Sequence, residues 1–492
     1  MSGLTRRRFL AAGAASSVLL RVPLLGETGT RLADDPMRPQ FHLLPAKNWM
    51  NDPNGPIYWN GRYHMFFQYN PLAATWGDMS WNHAVSEDMV HWKLLPVAMT
   101  PTPGGDDAYG CFSGSAIAVG KRVYAVYTGT VKSGPELATI HADGVQESQC
   151  LAWSEDAALI HWTKAEKPVI PLPPQGMAIT GFRDPSVWKQ GEWYYMTVGA
   201  GEAKVGGCVL LYRSRDLHSW EYQHKLTSGA WTGKWTPNPC DDGEMWECPE
   251  LFPLGSEHVL IYSTLGKVYW QSGALDAATM LFHPRKSGLL DLDAFYAPKT
   301  QLDAHGQRIL WGWIQERRSE AAMRAAGWSG MMSLPRVLTL DSDGTLRMSI
   351  AEPVKRLRGA SLAAQQRGAS TVKTLPRATG EALCEGARGK PLDVRLRRGE
   401  VELLHVRYAP ETHSFHVGED VTALQPDDVP SVHAYVDGSV IEVLLSGRIG
   451  VTKRFYYEAA TAPDVAVVAE GAARFEAWMI QPITNDRMTD SA

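Results

Sequence analysis

The chain has 492 residues, of which 44% are hydrophobic and 21% charged, with a net charge of −5 at pH 7. This length exceeds what one hydrophobic core usually organises, so it predicts two domains, or one large all-β domain with an appendage. The composition is that of a globular protein without a basic excess, which argues against nucleic acid and anionic membranes as partners.

Twin arginines stand at the start of the chain. Arg6 and Arg7 precede the apolar run 9–20, which is too short to cross a bilayer but has the length of a signal h-region. The pattern predicts a twin-arginine export signal over residues 1–33 and a periplasmic or extracellular protein. A merely basic start on a cytoplasmic protein is the alternative. No later segment has the length and apolarity of a membrane span.

A short motif recurs after this segment: Ser-x-Asp followed four to six residues later by Trp. The three copies pair Ser86 with Trp92, Ser154 with Trp162, and Ser214 with Trp220. Around them lie short runs rich in β-branched and aromatic residues, broken by Gly, Asp and Pro, which are strand signals separated by turns. A period in the sixties with several strands per unit predicts an all-β protein built on a β-propeller.

Acidic motifs follow the same period. Asp52, Asp184 and Glu247 are separated by 132 residues (184 − 52) and 63 residues (247 − 184), or about two repeats and one. Ser113 and Trp313 fall at the remaining repeat positions. One marked position on each of five successive repeats predicts five blades. Because the innermost strands of a propeller converge on its axis, we expect these side chains to share one pocket.

The local sequence around the acids indicates a chemistry. Asp52 and Asp184 directly precede proline, which favours an extended conformation, so we expect each acid at a strand end. Retaining glycoside hydrolysis uses two carboxyl groups about 5 to 5.5 Å apart. Acids this close do not all ionise freely, so one should keep its proton near neutrality and act as the acid. Arg183 should hold its neighbour Asp184 ionised. Taken singly, each motif could instead be a structural turn.

The six cysteines form no C-x-x-C pair, and no histidine cluster has the spacing of zinc ligands. We therefore expect no structural metal, no cofactor, and mostly free buried thiols. Cys240 and Cys248 are the one pair whose oxidation the sequence leaves open.

The C-terminal third changes in composition, with fewer tryptophans. Residues 34–350 are predicted to form the propeller, 351–357 a linker, and 358–492 a second domain. Alternating runs such as 392–397 and 401–407 predict antiparallel strands with one solvated face, and hence a β-sandwich. No row of exposed aromatic residues is evident there, so we expect this domain to stabilise the propeller.

These motifs together resemble a known family. Trp49-Met-Asn-Asp52-Pro-Asn-Gly55, Phe182-Arg-Asp184-Pro185 and Trp246-Glu247-Cys-Pro249 are similar to the catalytic motifs of the β-fructosidases (invertases, inulinases and levanases), glycoside hydrolases of family 32. The likeness runs from about residue 41 to 480. It implies that Asp52 attacks C2 of a fructosyl unit, that Asp184 bonds the sugar hydroxyls, and that Glu247 serves as acid and base.

The resemblance also implies a fructose pocket. Its predicted lining is Asn51, Gln68, Trp76, Phe112, Ser113, Arg183 and Trp313. For Gln68 and Trp76 a purely structural role is the alternative. The chain departs from the family pattern at Asn82, Glu250 and Leu444, and the first two leave the choice of substrate open.

The expected substrate is sucrose or a β-fructan such as inulin or levan, with no nucleic acid and no membrane span involved. Two enzyme classes compete with this hypothesis: hydrolases of arabinan or xylan, which share the fold and the acids, and fructosyltransferases. A carbohydrate-binding homologue without catalysis is the alternative outside enzymes. Its signature would be the loss of a carboxylate, and all three are present.

Overall fold

Almost all the regular structure of the protein is β-strand. The computed structural model describes residues 31–140, 144–458 and 461–489. The predicted export signal lies outside these residues up to position 30. From Leu32 onward the described chain forms one compact unit that opens with a short 3-10 helix, Leu32–Asp34.

Four antiparallel sheets follow one another in simple meander order. Each has four consecutive strands hydrogen-bonded in sequence, apart from one short extra strand on the first. The strands are β1 Asn48–Trp59, β2 Arg62–Asn70, β3 Ser80–Ser86 and β4 Trp92–Met99; β5 Gly110–Val119, β6 Arg122–Lys132, β7 Val145–Ser154 and β8 Thr163–Lys164; β9 Ile179–Gln190, β10 Trp193–Glu202, β11 Gly206–Ser214 and β12 Glu221–Ser228; β13 Glu247–Leu254, β14 Glu257–Thr264, β15 Lys267–Leu275 and β16 Phe282–Asp291.

Neighbouring sheets share hydrophobic clusters, which explains why their middle strands are apolar on both faces. In β11, Leu210 and Tyr212 pack toward the second sheet, while Val209 and Leu211 pack toward the fourth. Successive side chains of a strand point to opposite faces, so a continuous apolar run is what a strand buried between two sheets requires. This stacking is the arrangement of β-propeller blades and confirms the predicted β-propeller.

The repeated Ser-x-Asp…Trp motif forms the turn between the third and fourth strands of the first three sheets. In the first copy, Asp88 accepts from the backbone N–H of Val90 (3.1 Å) and His91 (2.9 Å), and the Trp92 indole donates to Met89 O (3.0 Å). The indoles of Trp162 and Trp220 make the equivalent bond, each at 2.9 Å. The repeat is therefore structural in all three copies.

A further sheet follows the fourth. Its order is β17–β18–β21–β22, with β20 beside β18, while β19 pairs with β1. The bounds are β17 Phe295–Leu302, β18 Arg308–Ile314, helix α1 Glu320–Ala326, β19 Trp328–Ser329, β20 Met331–Met332, β21 Arg336–Leu340, β22 Leu346–Ile350 and helix α2 Glu352–Lys355. The Ser319 side chain caps α1 at its N-terminus, and Gly327 ends it with φ +72°, a left-handed conformation that glycine adopts without strain.

The C-terminal strands form two further antiparallel layers. One has the order β33–β32–β31–β26–β35–β23 and joins β16 through the parallel pair Asp291 and Gly450; the other is β24–β25–β34–β27–β28–β29–β30. The bounds are β23 Arg358–Ser361, β24 Gln365–Arg367, β25 Ser370–Leu375, a 3-10 turn Pro376–Ala378, β26 Thr379–Gly386, β27 Leu392–Arg398, β28 Val401–Ala409, β29 Ser414–Val417, β30 Asp420–Ala423, β31 Ser431–Asp437, β32 Val440–Leu445, β33 Ile449–Arg454, β34 Val465–Glu470 and β35 Ala472–Ile480. One hydrophobic cluster contains residues of both layers.

All six cysteines are buried free thiols, so Cys240 and Cys248 form no disulfide. No helix among the described residues is long and apolar enough to cross a membrane.

Candidate active site

Equivalent β-bulges position the candidate residues. At one point in each of β1, β5, β9, β13 and β17, the strand advances three residues while its partner advances two. The extra residues fall at Asn51 and Asp52, Phe112 and Ser113, Asp184 and Pro185, Cys248 and Pro249, and Ala297 and Pro298. A bulge re-aims a side chain out of the regular strand pattern, and it accommodates a proline, which has no N–H for the ladder.

The bulges correct one prediction from the sequence. Asp184 precedes proline, but its φ is +64° rather than that of an extended residue, and Cys248 (+51°) and Ala297 (+49°) likewise precede proline with positive φ. The bulge imposes this backbone conformation against the steric preference of a residue before proline. The prediction that Asp184 is extended was therefore wrong.

Asp52 accepts hydrogen bonds on both carboxylate oxygens. The Ser113 hydroxyl donates to Oδ2 (2.7 Å), and the Asn51 amide donates to Oδ1 (3.0 Å). The Asn51 amide oxygen in turn accepts from the Trp49 indole (2.6 Å). Burial raises the pKa of Asp52, while the bonds from Ser113 and Asn51 act in the opposite direction. These contacts fix the orientation of the carboxylate.

Asp184 lies beside Asp52. Its Oδ2 accepts from the backbone N–H of Cys248 (2.9 Å), and the Cys248 Sγ lies 3.5 Å from Asp184 Oδ2 and 3.6 Å from Asp52 Oδ2. One thiol thus bridges both aspartates, and its own chain neighbour is Glu247. Burial raises the pKa of the Cys248 thiol well above its ordinary value, so it remains an S–H donor.

Glu247 is held by an arginine and a tyrosine. Arg183 donates to Glu247 Oε1 through Nη2 (2.7 Å) and Nε (3.1 Å), and the Tyr296 hydroxyl donates to Oε2 (2.8 Å). Burial alone would raise the pKa of Glu247, but the charge and hydrogen bonds of Arg183, together with Tyr296, lower it below its ordinary value.

Asp184 is the carboxyl group of this cluster whose pKa is raised to neutrality. Burial raises the pKa of Asp184 to about 7, with Arg183 opposing the shift and the charges of Glu247 and Asp52 adding to it. The prediction that Arg183 keeps Asp184 ionised was wrong, because the guanidinium pairs with Glu247 and Glu147 instead. The pKa of one carboxyl group is raised, as expected for crowded acids, but the group is Asp184 rather than Glu247.

Arg183 has a second acidic partner that the sequence did not reveal. Glu147 on β7 is fully buried and accepts from Arg183 Nη1 (2.9 Å), from the Phe182 N–H (2.7 Å) and from the Thr139 hydroxyl (2.7 Å). The two glutamates hold the pKa of Arg183 well above its ordinary value. Glu147 therefore positions Arg183 against Glu247.

Aromatic side chains flank the carboxylates. Trp49 and Trp313 meet edge to face with ring centroids 5.7 Å apart, and they pack with Phe112 and with Met323 of α1. Trp76, 42% exposed, meets Phe112 at 5.9 Å. Flat rings beside hydroxyl-binding groups suit a sugar, whose faces are apolar and whose edges are polar.

Trp313 takes a position other than expected, and Gln68 makes a contact that fits its structural alternative. Trp313 lies on β18, the second strand of its sheet, so it does not occupy the equivalent place predicted for it; Tyr296, just before the bulge of β17, does. The Gln68 side chain is buried and donates to Cys111 O (3.0 Å), next to Phe112 and Ser113. Gln68 thus supports the strand that carries Ser113.

Sequence reasoning missed Tyr296, Glu147 and Cys240, whose Sγ accepts from Arg183 Nη2 (3.4 Å). Tyr296 follows Glu247 by only 49 residues (296 − 247), shorter than the repeat used to choose positions. Glu147 and Cys240 carry no motif signal. Within the described ranges, no group of three or more His, Cys, Asp or Glu is arranged to hold a metal ion.

The raised pKa of Asp184 should reduce stability at neutral pH. The unfolded chain ionises Asp184 near 3.8, whereas the folded protein holds the proton until about 7. The unfolding free energy therefore falls as pH rises between these values and is constant above them. We expect Asp184→Asn to be more stable than wild type at pH 8, by an amount on the order of 2 to 4 kcal/mol, and about equal to it near pH 4.

Thermal or urea unfolding at both pH values measures this difference. Asp216→Asn is the matched control, because Asp216 caps an exposed turn and its pKa is lowered by bonds from Ser219 and His218. Asp216→Asn should be less stable than wild type at pH 8, because the folded state favours the ionised form of Asp216. An Asp184→Asn variant less stable than wild type at pH 8 would contradict the assignment of the proton to Asp184.

Removal of the Glu147 charge should disturb the site through Arg183. We expect Glu147→Gln to cost about 2 to 4 kcal/mol of unfolding free energy, because a buried arginine loses an ionic partner. The rate of the reaction at this site, measured as kcat/KM, should fall by about 10- to 100-fold. Arg183 would then pair with Glu247 alone and lower the pKa of Glu247 further. The basic limb of the pH–rate profile should therefore move to lower pH.

Glu155→Gln is the control for this variant. Glu155 pairs with Arg122 at the surface, where both side chains are about half exposed, and such pairs contribute little. If Glu147→Gln lowered stability while kcat/KM and the pH profile stayed unchanged, Glu147 would have only a structural role.

Comparison with known proteins identifies the family to which the sequence is similar. The family model "Glycosyl hydrolases family 32 N-terminal domain" matches residues 42–349. A sucrose-6-phosphate hydrolase of Escherichia coli is 37% identical over 344 residues, which are 65% of this chain and 66% of that relative. The match thus spans slightly less than two thirds of the relative's length. A sucrose-6-phosphate hydrolase of Bacillus subtilis is 31% identical over 474 residues, covering 89% of this chain and 92% of the relative.

A solved structure extends the likeness to the fold. The beta-fructofuranosidase of Bombyx mori superimposes with a TM-score of 0.77 at 28% identity, covering 92% of this chain and 96% of that chain. A variant of the same insect protein was solved in complex with sucrose.

Proposed function

The chain belongs to glycosyl hydrolase family 32, and from this membership and the site we propose that it is a retaining β-fructosidase that releases fructose from sucrose or β-fructans. The observation that carries the proposal is the cluster of Asp52, Asp184 and Glu247, joined through Cys248 and Arg183. Retaining glycoside hydrolysis needs a fixed nucleophilic carboxylate and a second carboxyl group beside it.

In the first step, Asp52 attacks C2 of the fructosyl unit while Glu247 donates a proton to the departing glycosidic oxygen. The bonds from Ser113 and Asn51 leave Asp52 no freedom to turn away, which favours attack from one fixed direction. A covalent fructosyl ester on Asp52 results, and the leaving sugar departs with the proton of Glu247.

In the second step, Glu247 takes a proton from water, and the water oxygen attacks C2. The ester bond to Asp52 breaks and fructose leaves with its original configuration. The bonds from Arg183 and Tyr296 suit this step, because both favour the carboxylate form of Glu247, which is the base.

The first step requires the opposite charge state, so we infer that substrate binding moves the proton. Asp184 is the carboxyl group of the cluster with a pKa of about 7, so it can release a proton near neutrality. Sugar hydroxyls that donate to Asp184 would favour its ionised form and release its proton. The protonation equilibria of the three carboxyl groups are coupled, so ionisation of Asp184 would raise the pKa of Glu247 and favour its protonation.

We also infer a five-bladed propeller followed by a β-sandwich. Support for five blades comes from the first strands: β1 packs beside β5, β5 beside β9, β9 beside β13, β13 beside β17, and β17 beside β1. Five strands in a closed ring are what five blades require. Support for the sandwich comes from the hydrophobic cluster shared by the two C-terminal sheets.

The proposal is tested by incubating the purified protein with sucrose, raffinose, inulin, levan and sucrose 6-phosphate and separating the products. We expect free fructose from at least one of them, and the ranking of rates identifies the substrate. The phosphorylated sugar belongs in the panel because relatives are named as sucrose-6-phosphate hydrolases. No fructose from any substrate would contradict the proposal and favour a silent carbohydrate-binding homologue; transfer products without free fructose would favour a fructosyltransferase.

We further propose that the protein is exported through its twin-arginine segment. Arg6 and Arg7 ahead of a short apolar run support this reading. Replacement of both arginines by lysine should trap the protein in the cytoplasm, as cell fractionation would show. Equal distribution of wild type and variant would contradict export by this route.

A further inference from the structure

Lys299 is a buried cation that neither step of the proposed reaction uses. It lies on β17 directly after the bulge residues Ala297 and Pro298, and it is only 1% exposed. Among the described residues its ammonium makes one hydrogen bond, to Pro249 O (3.4 Å). A single long bond to a neutral carbonyl does not offset the lost solvation of a buried charge, so the ammonium gains most from negative charge nearby.

Lys299 is connected to the catalytic cluster through the bulge of β13. This bulge consists of Cys248 and Pro249, and the Cys248 N–H donates to Asp184 Oδ2 (2.9 Å). The Pro249 carbonyl accepts from the Lys299 ammonium and also from the Thr197 hydroxyl (3.3 Å). The same two residues therefore bind Asp184 at one end and Lys299 at the other.

The charge of Lys299 acts on Asp184 across this bulge. Burial raises the pKa of Asp184, and the positive charges of Arg183 and Lys299 oppose that rise. Arg183 has the larger effect, but it is paired with Glu147 and Glu247. In the part of the chain that the structure describes, no carboxylate forms an ion pair with Lys299, so its charge is not neutralised by a direct partner. An unpaired charge in a low-dielectric interior acts strongly on its neighbours.

Other titratable and charged groups surround Asp184 and Lys299. On the side of the cluster they are Asp52, Arg183, Glu247 and the Cys248 thiol. On the far side, Tyr58, Lys189, Glu250, Asp303 and Arg308 line a cavity that Lys299 also lines. There Glu250 accepts from the N–H and the hydroxyl of Thr300, both at 2.7 Å, and Arg308 donates to the same hydroxyl (3.2 Å). Glu250 and Arg308 are thus held by Thr300 rather than by Lys299.

We propose that Lys299 is a positioning residue for the reaction: its buried ammonium favours the ionised form of Asp184 when the sugar binds, and its bond to Pro249 O steadies the bulge that binds Asp184. The inference rests on the proposed function, in which Asp184 releases a proton and Glu247 takes one up. Lys299 acts only through Asp184.

The first test is independent of hydrolysis. Because burial raises the pKa of Asp184 to about 7, the unfolding free energy of wild type should fall as pH rises from about 4 and level off near 7. We call the pH at which it levels off the levelling point. Lys299→Met removes the charge and keeps a long, unbranched side chain. Asp184 should then hold its proton to higher pH, so the levelling point should move up by about 0.5 to 1 pH unit. Urea unfolding between about pH 4 and about pH 9 measures the shift.

Three further variants identify the cause of the shift. Lys299→Gln removes the charge but keeps a donor for Pro249 O, and it should show the same upward shift; it replaces Lys299→Met if that variant does not fold. Lys299→Arg keeps the charge, so its levelling point should stay near that of wild type. Lys373→Met is the matched control, because Lys373 is also buried (8% exposed) and donates to a carbonyl, Leu362 O (2.5 Å), but in a C-terminal sheet. Its levelling point should not move.

The second test is the pH dependence of kcat/KM, whose basic limb reports the free enzyme. In Lys299→Met and Lys299→Gln this limb should move up by about the same amount as the levelling point. Below the limb, kcat/KM should fall by about three- to tenfold, because Asp184 gives up its proton less readily. Above the limb, the curves of variant and wild type should converge, since Asp184 is ionised in both. A structural defect would instead lower kcat/KM equally at every pH.

The proposal is overturned if both neutral variants level off at the pH of wild type, or if their kcat/KM falls by one constant factor at all pH values. Shifted unfolding curves in a protein that hydrolyses no fructoside would instead contradict the proposed function, while they would support the action of Lys299 on Asp184.

Discussion

Replacement of Glu247 by alanine is expected to lower kcat on sucrose by about 10³- to 10⁴-fold while the fold stays intact. The glycosidic oxygen of sucrose is a poor leaving group without a proton, and Glu247 is the carboxyl group that Arg183 and Tyr296 hold beside the two aspartates. Initial rates of sucrose hydrolysis, with unfolding curves to establish that the variant is folded, measure the effect.

The loss should depend on the leaving group. With an activated fructosyl donor such as fructosyl fluoride, which needs no protonation, the first step should recover and the second step should limit turnover. Glu221→Gln is the control, because Glu221 on β12 forms a surface ion pair with Arg213 on β11. Near-native hydrolysis of sucrose by Glu247→Ala would show that the acid assignment is wrong.

Replacement of Asp52 by alanine should have a larger effect, about 10⁴-fold or more in kcat, with any donor. No other carboxylate in the cluster is free to substitute for it, since Glu247 is paired with Arg183 and Asp184 accepts from the backbone N–H of Cys248. Activated donors should not restore activity, which separates the nucleophile from the acid.

Asp156→Asn is the matched control for Asp52, because Asp156 caps a turn of the repeated motif away from the cluster. It should retain turnover. Recovery of Asp52→Ala with fructosyl fluoride would contradict nucleophilic attack by Asp52.

The repeat of motifs in the sequence was enough to predict a propeller and to bring Asp52, Asp184 and Glu247 together. This worked because each acid falls at, or directly before, the equivalent bulge of its first strand. A constant spacing along the chain therefore corresponds to equivalent positions in the fold. Ser113 was found by the same rule, and it donates to Asp52.

The partners of these residues were less accessible to sequence reasoning. Arg183 was assigned to its chain neighbour Asp184, but successive residues on a strand face opposite ways, and the guanidinium reaches Glu247 and Glu147 on other strands. Trp313 lies at the spacing of the repeat, but on the second strand of its sheet. Tyr296 occupies the equivalent position on the first strand, but it follows Glu247 at less than the repeat spacing because the segment before β17 is short. Pairings across sheets depend on packing rather than on spacing along the chain.

The most direct test of the account is mass spectrometry of Glu247→Ala after incubation with fructosyl fluoride. This variant should form the fructosyl ester quickly and hydrolyse it slowly, because it keeps Asp52 and lacks the base. The account predicts that the peptide containing Asp52 gains the mass of one fructosyl unit. An adduct on the peptide containing Asp184, or turnover of the donor with no adduct on any peptide, would contradict Asp52 as the nucleophile of a retaining β-fructosidase.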